Sequence, residues 1–398
     1  MSKVGIVKEI NMGPSLTNGI FKLFDVIFMV SGTYMTVTKK TKSKLHLMYC
    51  LLVTFMALFQ AGRVIGLFLQ PASLEDYLAT HVAFCAIQSV NLFLNLVHWI
   101  GFRRDYDSLK KEFLHYEINY GLTVIGKRRK CIKHLMGGCI ISPIVFLISL
   151  GFTVYISPEM KIMLFPFNKF SGWKLYVGHF ALMLTEIPIL LQFLSISLLF
   201  FFCSYFLSKE FGRINSLIQS DIQQMTVLKL NTLMKQHQAV CDLLSAVNRI
   251  CKHYLVGSIL AFFTADCFML VMLTNVSSLT TVYFTAMLFW AIVYFLVFNA
   301  LLLIASQVSS MAHETLDEIW KIDFSSLTDK GLKLIDIFTT KLSGSTIGYD
   351  VYGLFTIQKS SILAICGTLL TYFIVAVQFK PGGNGENSLE IPQNLTFN

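Results

Sequence analysis

The sequence predicts an all-α protein that crosses a lipid membrane seven times, with a cytosolic N-terminus and a cytoplasmic helical anchor region. Three observations support this fold class. Hydrophobic residues make up 55% of the 398 residues and charged residues only 14%, whereas soluble domains average about 25% charged residues. The apolar residues form runs of roughly 20, the length that an α-helix needs to cross a bilayer. Lysine and arginine are concentrated in alternate connecting segments, which sets the orientation.

The first segment, residues 1–46, is predicted to lie in the cytosol. Its apolar stretch 20–37 approaches the length of a span but contains Lys22 and Asp25. Lysines also precede and follow this stretch, and positive charge on both sides of a helix opposes a crossing. We therefore expect an interfacial helix, or a helix buried in a cytoplasmic part of the protein, rather than an eighth span.

Seven apolar runs are predicted to be membrane helices, and they lie at 47–69, 78–100, 135–157, 175–206, 254–274, 282–308 and 357–379. They divide the chain into a cytoplasmic segment 1–46, four membrane helices in 47–206, a cytoplasmic extension 207–252, two membrane helices in 253–309, an anchor segment 310–356, the last membrane helix in 357–379 and an extracellular tail 380–398.

The cytoplasmic extension keeps the spacing of an amphipathic helix. Its apolar residues recur every three or four positions, at Val240, Leu243, Val247, Ile250 and Tyr254. This pattern predicts that the fourth and fifth membrane helices continue into the cytosol. Residues 310–352 contain a shorter amphipathic region. Both apolar stripes need a partner, which a cytoplasmic helical bundle shared between subunits would provide; the alternative is a helix that lies on the inner leaflet.

The distribution of charge orients the bundle. Most of the 32 Lys and Arg residues lie in 1–46, 101–134, 207–252 and 310–352, so these segments are predicted to face the cytosol. The glycosylation sequons at Asn275 and Asn394 both fall on the predicted outside. Asn275 is expected to be too close to the membrane to be modified.

Several classes of function have no support in the sequence. The stretch from Gly121 to Lys127 imitates a phosphate-binding loop, but Arg128 takes the place of the Ser or Thr that binds magnesium. No enzyme signature is recognisable, so we expect no catalytic residue and no cofactor. The nine cysteines form no CxxC pair, so we expect no metal site. Nucleic-acid binding is not expected either. The basic residues 127–130 instead suit the anionic headgroups of the lipid bilayer.

Ionisable residues inside the spans are candidates for a ligand site. Glu186 and Asp266 lie within spans, where an ionisable side chain faces the bundle or a cavity. The alternative is a buried structural pair, such as Arg63 with Asp266 or with Glu186. The predicted outer halves of the spans add aromatic and hydrogen-bonding side chains that suit a small amphipathic ligand: His81, Phe84, Gln88, Tyr155, His179, Met183, Trp290 and Tyr294. Each of these is also compatible with ordinary bundle packing.

The last span differs from the others because polar residues, including Tyr372, run along it as candidates for lining a pore. Thr368, Thr371 and Gln378 fall on a common stripe, with Ser361 two turns below. A mildly polar stripe suits a water-filled path. The alternative is hydrogen bonding between helices, which Ser and Thr commonly provide in membranes.

The end of this span reads Thr371-Tyr372, five hydrophobic residues and Gln378-Phe379. This motif resembles the signature of the insect gustatory receptors, which is Thr-Tyr, five hydrophobic residues and Gln-Phe. The runs 349–355 and 236–254 also look like the family. The resemblance implies a tastant-gated cation channel in the plasma membrane of chemosensory neurons. It also implies a homo- or heterotetramer of gustatory receptor subunits with the seventh spans around one pore, and Gln378 and Phe379 at the gate.

The resemblance is compatible with several functions. Sugar-sensing members carry an acidic residue after the Thr-Tyr pair, where this chain has Phe373, so a receptor for bitter compounds is preferred to a sugar receptor. An obligate co-subunit or an internal chemosensor of the same family is the main alternative. A G-protein-coupled receptor would need an external N-terminus, and a transporter would show two related halves.

Overall fold

The computed structural model describes residues 15–33, 40–68, 74–121, 137, 141, 166–273, 281–323, 327–344 and 346–378, and most of them are helical. The helices are α1 Leu16–Val30, α2 Lys40–Phe68, α3 Leu74–Val97, α4 Arg103–Tyr120, α5 Trp173–Ser220, α6 Val227–Leu273, α7 Thr281–Ile319, α8 Asp329–Gly344 and α9 Lys359–Gln378. A π-helical turn, His98–Phe102, joins α3 to α4, and 3₁₀ turns lie at Phe167–Lys169 and Ile222–Gln224. A two-stranded hairpin, β1 Asp350–Val351 and β2 Phe355–Thr356, precedes α9.

Five of the predicted spans coincide with helices that are long and apolar enough to cross a membrane. These stretches are Ser43–Gly66, Cys85–Tyr120, Trp173–Ser220, Val227–Leu270 and Ala291–Ile319. The last predicted span, 357–379, corresponds to the shorter apolar helix α9. Apart from residues 137 and 141, the predicted span 135–157 lies outside the described residues.

Helices α5 and α6 are much longer than a bilayer requires. They contain 48 and 47 residues, which corresponds to about 70 Å, more than twice the thickness of the hydrocarbon core. Both helices therefore extend beyond any bilayer, as the spacing of apolar residues in 207–252 indicates. Helix α5 is also the most buried of these five stretches. In its most apolar 18 residues 67% are buried, compared with 22% in α2.

The extended ends of these helices form one packed region, which we call the helical base. It consists of α1, α4, α8, the C-terminal ends of α5 and α7 and the N-terminal half of α6. Aromatic rings fill its interface between α1, α4 and α5: Phe21, Phe24, Phe28, Phe102, Tyr106, Phe113, Tyr116, Phe202 and Phe206. The apolar stretch that begins at residue 20 is thus part of a helix, α1, whose apolar side is buried against α4 and α5.

The first turn of α1 is held by a carboxylate from α4. Ser15 caps the helix, and its hydroxyl accepts a hydrogen bond from the Asn18 amide. The Glu117 carboxylate accepts hydrogen bonds from the Ser15 hydroxyl at 2.6 Å and from the Leu16 amide at 2.8 Å. An anion at this position satisfies free amide groups and opposes the positive end of the helix dipole.

The hairpin before α9 was not predicted from the sequence. Its strands pair Asp350 with Thr356 and Val351 with Phe355. The turn places both Tyr352 (φ 54°) and Gly353 (φ 74°) in the left-handed region, which is the backbone of a type I′ hairpin turn. Just before it, the buried Tyr349 hydroxyl lies 2.7 Å from the Ser204 hydroxyl of α5. The Tyr349 carbonyl accepts a hydrogen bond from the amide of Ile357, so the hairpin sets where α9 begins.

Candidate functional site

Five polar side chains from α2, α3 and α5 meet inside the bundle, and we call them the polar cluster: Gln60, Arg63, Gln88, Thr185 and Glu186. Arg63 Nε donates to Gln60 Oε1 at 2.7 Å, and Gln60 Nε2 donates to Thr185 Oγ1 at 2.5 Å. Gln88 Nε2 donates to Glu186 Oε1 at 2.9 Å. Arg63 Nη2 lies 3.9 Å from the same Glu186 oxygen. The charged ends of Arg63 and Glu186 are therefore both compensated inside the protein.

This arrangement reflects the cost of burying charge. Arg63 and Glu186 are 6% and 8% exposed, and a buried ion is tolerated only with a counter-charge and further hydrogen bonds. Of the two structural pairings that the sequence left open, the structure shows Arg63 with Glu186. The direct hydrogen bond to Glu186 comes from Gln88, a predicted ligand-site residue. The hydrogen bonds and the ion pair of the cluster thus join α2, α3 and α5.

Asp266 and Tyr294 are predicted ligand-site residues on α6 and α7, two of the helices that pack against α5. Asp266 on α6 is 3% exposed, and neither of its carboxylate oxygens has a hydrogen-bond partner in the described part of the chain. The Tyr294 side chain on α7 lies close enough to interact electrostatically with both Asp266 and Glu186. Its ring centroid is 6.0 Å from that of Phe262. Gln88 and Glu186 are thus joined by a hydrogen bond, and Tyr294 is the residue that relates them to Asp266.

The structure describes the remaining predicted ligand-site residues to different extents. His179 and Met183 on α5 are half-buried and share one helix face with Glu186, because they precede it by seven and three residues. The backbone of α3 contains His81 and Phe84, and that of α7 contains Trp290, but these three side chains lie outside the described part of the structure. Tyr155 lies outside the described residues altogether, as do both sequons, at Asn275 and Asn394.

A second polar network, nearer the helical base, was missed by the sequence analysis. Asn95 Nδ2 donates to Gln192 Oε1 at 2.8 Å, and Gln192 Nε2 lies 2.7 Å from His98 Nδ1. Asn95 Oδ1 accepts from the Thr54 hydroxyl at 2.7 Å. A signal for it exists in the sequence: polar residues recur at helical spacing along α3 and into the turn that follows it, at Gln88, Asn91, Asn95 and His98. His98 also begins the π-helical turn, a feature that is frequent at functional sites.

Helix α9 packs against α6 and α7 and leaves much of its surface exposed. On one side it presents Leu363, Leu370 and Ile374, which are 75%, 59% and 46% exposed. The neighbouring side carries the predicted pore residues Thr368, Thr371 and Gln378, all exposed. The Thr368 and Thr371 hydroxyls donate to carbonyls one turn back in their own helix, so neither donates a hydrogen bond to another helix.

The two ends of the predicted pore stripe differ from its middle. At the N-terminal end, the Ser361 hydroxyl donates to the Thr356 carbonyl at 3.1 Å and accepts from the Gln358 amide at 3.3 Å. Ser361 thus ties the start of α9 to the hairpin. At the C-terminal end, Phe379 lies outside the described residues. Within the described residues, no group of three His, Cys, Asp or Glu side chains is placed to hold a metal ion.

Comparisons with known proteins extend over most of the chain. The model of a family described as 7tm Chemosensory receptor matches residues 35–382, whereas no curated protein matches the sequence. Among solved structures, the fold is similar to the insect olfactory receptor OR5 from Machilis hrabei in complex with eugenol, with a TM-score of 0.68 and 17% identity over 91% of this chain and 98% of that chain. A second structure of that receptor gives a TM-score of 0.67 and 16% identity, with the same coverage. The predicted all-α, multi-pass membrane fold is thereby confirmed.

Proposed function

The chain belongs to the 7tm chemosensory receptor family, and from this premise we propose that it is a gustatory receptor. It acts as a tastant-gated, non-selective cation channel in the plasma membrane of chemosensory neurons and catalyses no reaction. The chain is a multi-pass membrane protein, and the insect olfactory receptor that shares its fold was solved in complex with a small molecule, eugenol. These findings support a small-molecule ligand for this chain too.

The observation that carries the proposal is the surface of α9. This helix has an exposed apolar side at Leu363 and Leu370, and beside it an exposed stripe with Thr371 and Gln378. In a tetramer, the polar stripes of four such helices would line a central water-filled path, and the apolar sides would face neighbouring subunits or lipid. The gustatory signature, which ends at Gln378-Phe379, lies at the end of this helix.

The proposed ligand pocket lies at the end of the bundle opposite the helical base, among Gln88, Glu186, Asp266 and Tyr294. It is close to the pore helix, because Phe263, one turn before Asp266 on α6, contacts Tyr372 of α9. A ligand opens the channel only if it binds the open state better than the closed one. A closed state favoured by about 3 kcal/mol requires that much differential affinity, shared over four pockets.

Aromatic side chains near the pocket favour bitter compounds over sugars, because sugars require many hydrogen-bonding groups. The residue after the Thr-Tyr pair agrees with this choice, since Phe373 replaces the acidic residue of sugar-sensing members. Apolar Phe379 serves as the gate, which closes by excluding water and opens when the helices rotate outward.

The proposal is tested by recording currents from excised membrane patches of cells that express this chain alone. Bitter compounds and sugars are applied without nucleotide. A ligand-evoked cation current supports a self-sufficient channel and identifies the ligand class. Silence, with surface expression confirmed, contradicts the homomeric channel. Co-expression with other family subunits then shows whether the chain is an obligate co-subunit.

A further inference from the structure

We propose that Asp266 is the counter-ion for a positively charged nitrogen on the ligand, so that the pocket takes small aromatic amines in their protonated form. This inference rests on the proposed function, because it names the ligand class of the same pocket. It starts from Asp266, a buried carboxylate with no hydrogen-bond partner among the described residues.

Asp266 is buried in a way that is costly for the protein alone. The side chain is 3% exposed, and both carboxylate oxygens lack a hydrogen-bond partner among the described residues. Native proteins leave few buried polar atoms unpaired, because each one forfeits its interactions with water. A pair of free acceptors that the fold retains at such a cost indicates a group that arrives from outside.

The charges of the surrounding residues define what that group is. Arg63 and Glu186 compensate each other at 3.9 Å, and Gln88 supplies the further hydrogen bond to Glu186. Arg63 Nε is directed to Gln60. Among the described residues, Asp266 is therefore the acidic side chain of this region that has no counter-charge. A ligand with one positive charge neutralises it, whereas a neutral ligand leaves the carboxylate uncompensated.

The shape of the surroundings favours an amine over a metal ion. Rings of Phe262, Phe263 and Tyr294 lie on the neighbouring turns of α6 and α7, and among the described residues Asp266 belongs to no group of three His, Cys, Asp or Glu side chains that could hold a metal ion. Calcium and magnesium need about six oxygen ligands. An ammonium group needs only two or three acceptors, and its positive charge is attracted to aromatic faces. Its apolar body then fits the same rings.

Two pairs of probes separate charge from shape. 2-Phenylethylamine is compared with 2-phenylethanol, and tryptamine with tryptophol, because each alcohol keeps the skeleton and replaces the ammonium group by a hydroxyl. Binding is measured as the rise in melting temperature of the purified protein in detergent, and activation as current in excised patches. In the wild-type protein we expect each amine to act at a concentration about tenfold or more below that of its alcohol.

Variants at one position identify the carboxylate responsible. Asp266→Asn keeps the shape of the side chain but removes its charge, so it should abolish the preference for amines. Asp266→Glu keeps the charge and should retain the preference. The Asp266→Asn protein without ligand should melt at a higher temperature, because it no longer buries an uncompensated charge. Asp336→Asn removes an exposed carboxylate on α8 in the helical base and should change none of these results.

Several results overturn the inference. It is wrong if the alcohols bind as well as the amines, if neither amine binds, or if Asp266→Asn retains the preference. Failure of the inference is distinguishable from failure of the proposed function. Currents evoked by alcohols but not by amines support the channel and contradict the role of Asp266. Stabilisation by amines without any current supports the role of Asp266 and contradicts the channel.

Discussion

The ring of Tyr372 on α9 meets the ring of Phe263 on α6 edge to face, with 6.2 Å between the centroids and an interplanar angle of 85°. Tyr372 belongs to the Thr-Tyr pair of the gustatory signature, and Phe263 lies one helical turn before Asp266. We therefore expect a shift of α6 on ligand binding to reach α9, the proposed pore helix, partly through this aromatic contact. Edge-to-face pairs of this kind contribute about 0.5–1.5 kcal/mol beyond their buried area.

Removal of either ring should weaken the coupling between ligand and pore. We expect Phe263→Ala and Tyr372→Ala each to raise the half-maximal ligand concentration about fivefold, which corresponds to about 1 kcal/mol. The double variant should be no worse than the more affected single variant, because both remove the same contact. Concentration–response curves from excised patches test this, with Leu260→Ala on an exposed face of α6 as the control. Additive effects of the two substitutions would show that the rings act independently.

Gln378 should influence ions rather than ligand. If its side chain lines the pore, Gln378→Ala changes the permeability ratio of sodium to larger cations and leaves the half-maximal ligand concentration nearly unchanged. Leu363→Ala, on the apolar side of α9, serves as the matched control and should leave the ratio intact. Reversal potentials in mixed-cation solutions measure the ratio. Altered potency with an unaltered ratio would place Gln378 outside the pore.

Replacing only one residue of the Arg63–Glu186 pair should destabilise the protein more than replacing both. Arg63→Met leaves Glu186 buried without its cation and should lower the free energy of unfolding by about 3 kcal/mol. Adding Glu186→Gln should restore most of that loss, since the remaining partner, Gln88, can still form a hydrogen bond. Thermal unfolding of the purified variants gives the comparison. A double variant as unstable as Arg63→Met alone would contradict a direct interaction between the two charges.

Gly348 marks a close approach between the chain before the hairpin and α7. A Cβ atom at this position would lie 2.6 Å from Cγ2 of Thr356 and 3.2 Å from Cβ of Ser309. Gly348→Ala should therefore destabilise the protein by about 1–3 kcal/mol. Thr356→Ser removes the methyl group and should rescue part of the loss.

Gly344→Ala is the control for this prediction, because a Cβ atom there would meet nothing within 4 Å. Thermal unfolding of the three variants and of the wild-type protein measures the effects. If Gly348→Ala has the same melting temperature as the wild-type protein, the chain before the hairpin does not pack against α7 as closely as the structure shows.

The sequence predicts what depends on neighbours along one helix and misses what depends on the facing helix. Val240, Leu243 and Val247 recur every three or four positions, which places them on one face of a helix. This local pattern is enough to predict that α6 is long. The bond from Asn95 to Gln192 joins residues 97 positions apart, and no local pattern specifies which helices face each other. The hairpin was missed because its strands contain two residues each, too few for alternation to be recognised.

The pairing of Arg63 with Glu186 illustrates the same limit within the candidate site. Hydropathy identifies both residues as buried charges, and the choice between Glu186 and Asp266 as the partner of Arg63 depends on the rotation of α5 and α6. The structure resolves the choice through Gln88, which donates to Glu186 and so fixes the face that α5 turns towards α2 and α3. Asp266, left without a partner among the described residues, becomes informative only after that assignment.

The orientation in the membrane can be measured at two exposed positions on opposite ends of the bundle. Leu354 in the hairpin turn is 80% exposed, and Trp173 at the start of α5 is 70% exposed. The excess of Lys and Arg near the helical base predicts that the hairpin faces the cytosol. A membrane-impermeant maleimide added to intact cells should therefore label Trp173→Cys, and should label Leu354→Cys only after permeabilisation. Labelling above the wild-type background measures both, and the opposite pattern would reverse the topology and place the proposed ligand pocket on the cytosolic side.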